Sequence, residues 1–127
     1  MQLPTLAFLF AALASLSLAA QSNESLCRAK SQRTGSLAAA SIRALCAKTD
    51  LVANSAYAME GKYAGPNQIG THAFVAVKNH CPYGSDWIPQ KYCLSQFYET
   101  CARGDKYGHG VRSYGKGGCQ EFNLQAR

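Results

Sequence analysis

Six cysteines constrain this chain more than any other feature: Cys27, Cys46, Cys81, Cys93, Cys101 and Cys119. All of them follow an N-terminal stretch, "MQLPTLAFLFAALASLSLAA", that has no charged side chain. An apolar start ending in small residues has the form of a secretory signal peptide, and Ser17-x-Ala19 supplies the small-x-small pattern. Residues 1–20 therefore read as a signal peptide and residues 21–127 as one secreted, extracellular domain. The apolar run is short for a membrane-spanning helix of ~20 residues and no basic stop-transfer cluster follows, so membrane insertion is not expected. An even cysteine count in a small secreted chain predicts a disulfide framework, but spacing does not choose among the pairings. A domain of this size buries a smaller share of its surface than a large one, and each bridge adds roughly 2–4 kcal/mol. A zinc site is the rival reading. It fails because no C-x-x-C occurs and no histidine lies at zinc-finger spacing, so neither metal nor cofactor is expected.

Thirteen Lys and Arg against seven Asp and Glu give a formal charge of +6. The basic residues are scattered, with "CRAKSQR" after Cys27 the nearest thing to a cluster. Scattered positive charge favours anionic surfaces without naming a partner. Nucleic-acid binding asks for a basic stripe with exposed aromatics, and here most aromatics fall at predicted core positions, so no nucleic-acid partner is expected. Asn23-Glu24-Ser25 is an N-glycosylation sequon near the mature N-terminus.

The periodicity predicts a mixed α+β domain in which helices pack on an antiparallel sheet. "GSLAAASIRALCAK" reads as a helix with Ser36 at its cap and Ala38, Ile42, Leu45 and Cys46 on one face. "AYAMEGKYAGPN" suggests a strand near Tyr57–Tyr63 that ends in a turn. "THAFVAVKNHC" is the clearest strand, apolar on both sides, and so is expected in the middle of a sheet covered on both faces. "IPQKYCLSQFYETCARG" reads as a second helix, with Cys93, Phe97 and Cys101 as its buried stripe and Leu94 and Tyr98 beside it. "GVRSYGKGGCQEFNL" reads as a hairpin turning at "GKGG".

Catalysis needs groups that the spacing can bring together. His72, His80 and His109, with Glu60, Glu99 and Glu121 and with Arg112 as an anion-stabilising group, are the materials of a small secreted ribonuclease. His72 and His80 lie too far apart along one strand to act as a pair. There is no G-x-S-x-G nucleophile elbow, and "GKGGC" lacks the helix and the hydroxyl of a phosphate loop. Carbohydrate binding suits the composition better, because Tyr and Trp join an apolar face to a polar tip. Tyr83 and Trp87 share one loop; Trp87, just before a helix, reads as a core plug. Tyr107, His109, Arg112 and Tyr114 share the glycine-rich "KYGHGVRSY" and form the predicted glycan site: two stacking faces and two hydrogen-bond donors.

With those residues in view, the chain resembles the small secreted fungal glycan-binding (lectin-like) family typified by the ink-cap mushroom lectin. The resemblance rests on "FVAVKNHC", on "IPQKYCLSQFYETC" with its cysteines eight apart, on "KYGHGVRSYGKGGCQEFNL" and on "ALCAK" upstream. Together these span most of residues 40–124. It implies an α/β sandwich around an antiparallel sheet, homodimerisation through sheet edges, and binding of cell-surface glycans without catalysis. It carries over no ligand residue. The readings to be weighed are thus a non-catalytic lectin-like protein, a small ribonuclease-like hydrolase, and a host-directed effector or toxin.

Overall fold

The computed structural model describes residues 22–79, 81–82 and 86–127; the signal-peptide reading, His80 and Tyr83 lie outside them. The first helix, α1 (Asn23–Thr34), is set by local signals. The Ser22 hydroxyl accepts from Ser25 N at 3.1 Å, Glu24 sits in the first turn, and Gly35 ends the helix in the left-handed region at φ 76°. This helix has little apolar periodicity and buries only Cys27 and Ser31. Local capping sets its ends, while the Cys27 bridge and Lys30 Nζ, which donates to the Cys101, Ala102 and Gly104 carbonyls, hold it against the domain.

Helix α2 (Ala38–Cys46) buries the predicted face, with Ala38, Ile42, Leu45 and Cys46 all inside. Ser36 does not cap it. Leu37 occupies the cap position at φ 53°, and the Ser36 hydroxyl donates instead to the Tyr107 carbonyl at 2.6 Å. The free amide of Ala39 is satisfied from α1, where Ser31 Oγ accepts it at 3.0 Å. A tertiary contact has thus replaced the local cap that the sequence suggested.

The stretch read as a strand near Tyr57–Tyr63 divides in two. Ser55 accepts from Ala58 N and starts a short helix, α3 (Ala56–Glu60), and only Lys62–Ala64 forms a strand, β2. Gly61 makes the break at φ 68°, where a Cβ would collide with the Ala73 carbonyl. Strand β1 (Asp50–Val52) pairs antiparallel with β4 (Trp87–Pro89), placing Val52 opposite Trp87.

The main sheet has the order β2-β3-β6-β5 and is antiparallel throughout, with β3 (Thr71–Val77), β5 (Gly110–Tyr114) and β6 (Gln120–Ala126). The hairpin turns through a 3-10 segment at Lys116–Gly118, as "GKGG" predicted. Strand β3 is internal, but its faces differ. Thr71, Ala73 and Val75 are buried against the helical side, while His72, Phe74 and Ala76 are half-buried on the other. On that second face His72 stacks on Tyr63 at 4.1 Å and meets Phe74 at a tilt at 4.6 Å, so aromatic packing does part of what a second layer would do.

Helix α4 (Gln90–Ala102) is the hub. Cys93, Phe97 and Cys101 are fully buried, and the Phe97 ring meets Phe122 of β6 at 4.7 Å. Two bridges converge on it: Cys27–Cys101 ties α1 to its end, and Cys46–Cys93 ties α2 to its first turn. The third, Cys81–Cys119, ties the segment after β3 to the start of β6. The result is a single α+β domain held by three disulfides.

Candidate functional site

The four residues predicted to form a glycan site fall into two hydrogen-bonded networks. Asp105 builds the first: its Oδ1 accepts from Tyr107 N at 2.9 Å and from His109 N at 3.0 Å, and its own amide donates to the His109 carbonyl. Gly108, at φ 79°, lets this loop press on the bridge beneath, since a Cβ there would strike Cys101 Sγ. The His109 ring turns inward, Nε2 lying 2.8 Å from Thr71 Oγ1. Thr71 spends its single proton on the Ser36 carbonyl at 2.9 Å, so it accepts from His109, which must carry its proton on Nε2. Burial lowers the His109 pKa below its ordinary 6.5, with Asp105 pulling the other way. The Tyr107 ring lies 5.7 Å from the His109 ring, and Lys106 Nζ stands 5.1 Å from its centroid.

Arg112 and Tyr114 belong to the second network, on the helical side of β5. The Tyr114 hydroxyl donates to Glu99 Oε1 at 2.6 Å, and Arg112 Nε lies 3.6 Å from the same oxygen. The Tyr114 ring meets Phe122 edge-on at 5.1 Å, and burial raises its pKa. Tyr107 thus pairs with His109 and Arg112 with Tyr114, but no hydrogen bond or ring contact joins the two pairs. Asn23 of the sequon is the exposed first residue of α1. His72 Nε2 lies 2.7 Å from the Glu60 carbonyl, and among the described residues no histidine forms an ion pair with a carboxylate.

A different place carries open aromatic surface. Trp87 is 62% exposed and is not a core plug. Strand β4 alternates: Ile88 enters the core, which turns Trp87 outward, and the β1 ladder holds it beside Val52. The indole N–H donates to the Thr49 carbonyl at 3.2 Å, which orients the ring without covering it. Two residues into α4, Tyr92 is 48% exposed, next to the bridged Cys93, with Lys91 Nζ 5.0 Å from its ring. Between them opens a cleft of about 250 Å³, lined by Trp87, Tyr92, Asp86 and Gln96 and, from the hairpin, by Gly115 and Gln120. Gln96 lies one helical turn beyond Tyr92, so both reach the same side of α4. Gln120 is the first residue of β6, beside the bridged Cys119 and in register with Tyr114. Tyr114 therefore stands next to the cleft without lining it.

Two larger hollows lack these features. One, of about 320 Å³ between α1 and α2, has Arg28 and Arg43 but no aromatic ring. The other, of about 430 Å³ beside Asn23, has only Tyr98, which is buried. The Trp87 cleft is the one of the three that joins exposed aromatic faces to planar amides and a carboxylate. Sequence reasoning noticed Trp87 but missed Tyr92, Gln96 and Gln120. Tyr92 could have been found, since it falls opposite the buried stripe of a helix whose core face was already assigned.

No protein-family model matches the chain, and no curated protein or solved structure matches it.

Proposed function

We propose that the protein is a secreted, non-catalytic carbohydrate-binding protein whose site is the Trp87–Tyr92 cleft. One observation carries this reading: two exposed aromatic rings border a cleft furnished with the amides of Gln96 and Gln120 and with Asp86. A sugar ring has apolar C–H faces and a polar rim. The faces suit Trp87 and Tyr92, and the rim hydroxyls suit side chains that both donate and accept. Trp87 enters already oriented by its bond to Thr49, so little rotamer freedom is lost on binding. Behind Tyr92 and Gln120 stand the Cys46–Cys93 and Cys81–Cys119 bridges, which stiffen both walls.

The resemblance to the fungal glycan-binding family agrees with this chemistry, while the position of the site comes from the cleft. Three disulfides suit an oxidising compartment, in keeping with the N-terminal leader. Among the described residues no helix is long and apolar enough to cross a membrane.

The test is a glycan array with the oxidised protein, run beside a ribonuclease assay on the same preparation. Sugar-competable binding that Trp87→Ala abolishes, with no RNA cleavage, is the expected result. A blank array with cleavage that His109→Ala removes would replace this reading with a nuclease.

A further inference from the structure

We propose that the hollow between α1 and α2 is a second binding site, one that takes a tetrahedral oxyanion: the sulfate or phosphate ester of a sugar ring. It shares no lining residue with the Trp87 cleft and goes beyond the reading given above.

The site gives a use to the basic run "CRAKSQR". From Ser25 to Thr49 the chain has no acidic residue. The lysines of this stretch are engaged elsewhere. Lys30 Nζ donates to carbonyls at the end of α4, with Ala102 at 2.6 Å, and Lys48 pairs with Asp50 at 3.2 Å. Arg28, Arg33 and Arg43 remain, and the first and last of them line the hollow. Glu24 answers Arg28 alone, through one contact of 3.0 Å. Among the described residues Arg43 has no hydrogen-bond or ion-pair partner.

Helix packing sets the two arginines against each other. Ser31 Oγ accepts from Ala39 N at 3.0 Å, which fixes how α1 and α2 meet. Arg28 stands one turn before Ser31 and Arg43 one turn after Ala39, so the pair rises from opposite walls of one hollow. Bridges from Cys27 and Cys46 to α4 hold both walls. Leu37, Ala39 and Ala40 line the hollow as well, and the positive end of α2 adds to the field there. Two like charges across an open space repel, and an anion between them replaces that repulsion with two charge-assisted contacts. A carboxylate has two oxygens in one plane and suits a single guanidinium fork. A tetrahedral oxyanion points its oxygens in several directions and can meet both forks at once. At about 320 Å³ the hollow falls within the roughly 300–1,000 Å³ of ligand pockets, so it has room for more than a bare ion. Leu37, 42% exposed, offers an apolar wall to the ring that carries the ester, and the Gln32 amide can meet its hydroxyls.

The experiment titrates oxidised full-length protein with one trisaccharide in four forms: neutral, or carrying a single sulfate ester, phosphate ester or carboxylate. Wild type is compared with Arg28→Gln, Arg43→Gln and Trp87→Ala, and with Lys78→Gln, an exposed lysine after β3 that controls for net charge. Wild type should bind the two ester forms about tenfold more tightly than the carboxylate form. Either arginine variant should remove most of that advantage, Lys78→Gln should change it by less than about twofold, and Trp87→Ala should leave it in place. Inorganic sulfate and phosphate should compete about tenfold more weakly than the esters, because they lack the ring. An advantage that survives both arginine variants, falls equally with Lys78→Gln or is shared by the carboxylate form overturns this inference. So does ester binding that Trp87→Ala abolishes, or competition by the free ions as strong as that of the esters. Each of these leaves the Trp87 reading standing. Ester binding with no binding of neutral sugars overturns the Trp87 reading and upholds the second site.

Discussion

Two regions of this molecule carry aromatic and polar residues near tight turns, and they use them in opposite ways. In the glycine-rich segment around Tyr107 and His109, the polar groups are spent on the protein itself: Asp105 on two backbone amides, His109 on Thr71, and Ser36 on the Tyr107 carbonyl. At the junction of β4 and α4, Trp87 uses only its N–H and leaves its ring open, and Tyr92 leaves about half of its surface open. Glycine gave the first segment the freedom to fold tightly onto Cys101, with the His109 ring turned inward onto Thr71. A short strand gave the second an outward side and a rigid one. Richness in glycine and tyrosine therefore marked where the chain knots. The open aromatic surface came from alternation along a strand.

That contrast can be broken from either end. The largest effect should come from the staple under the knot. Replacing Cys27 and Cys101 by Ala should cost roughly 2–4 kcal/mol in denaturant unfolding of the oxidised protein, and should loosen α1 and the Tyr107 loop together. Next, Thr71→Val leaves the inward His109 N–H without its acceptor in a buried site. A loss of about 1–3 kcal/mol of stability is expected, with sugar binding unchanged because the cleft is built from other residues. Trp87→Ala should show the reverse pattern. Binding falls by at least tenfold, while thermal unfolding moves by no more than about 1 kcal/mol, because most of the ring already faces water. Equal losses of stability in Thr71→Val and Trp87→Ala would erase the distinction between the regions.

The smallest effect sharpens the contrast through pH. Burial holds the His109 pKa below 6.5, so the unfolded chain takes up this proton more readily than the folded one. Stability from this group is complete above about pH 6.5 and is lost as pH falls from there through the lower folded value. Unfolding measured at steps downward from pH 7 should show that decline, and His109→Gln should remove the part due to this ring. A histidine in an open binding loop would give no such decline.

Much of the fold was legible because it rests on periodic apolar residues. The stripe Cys93–Phe97–Cys101 and the face of Ala38, Ile42 and Leu45 could face only inward, and the alternation in Thr71–Val77 could make only a strand. Helix α1 escaped notice for the opposite reason. "NESLCRAKSQRT" has almost no apolar stripe, and its attachment depends on a bridge to a residue far along the chain. The strand read into "AYAMEG" shows a local signal misjudged, where Ser55 and Gly61 decide the outcome more than β-compatible aromatics do. Of the cleft, only Trp87 was visible beforehand, and its direction was misread.

By itself, the sequence determined a small α+β domain with an even set of cysteines, two apolar helical faces, a central strand and a C-terminal hairpin. Those properties follow from spacing along the chain, which is a local matter of helical and strand periods. Tertiary structure alone decided which cysteines pair, that Ser36 and His109 are consumed inside, and that Trp87 faces out. Each depends on a neighbour remote in sequence: Tyr107 for Ser36, Thr71 for His109, the β1 strand for Trp87. The cleft joins the β4–α4 junction to Gly115 and Gln120 of the hairpin, and no local pattern can place those segments side by side.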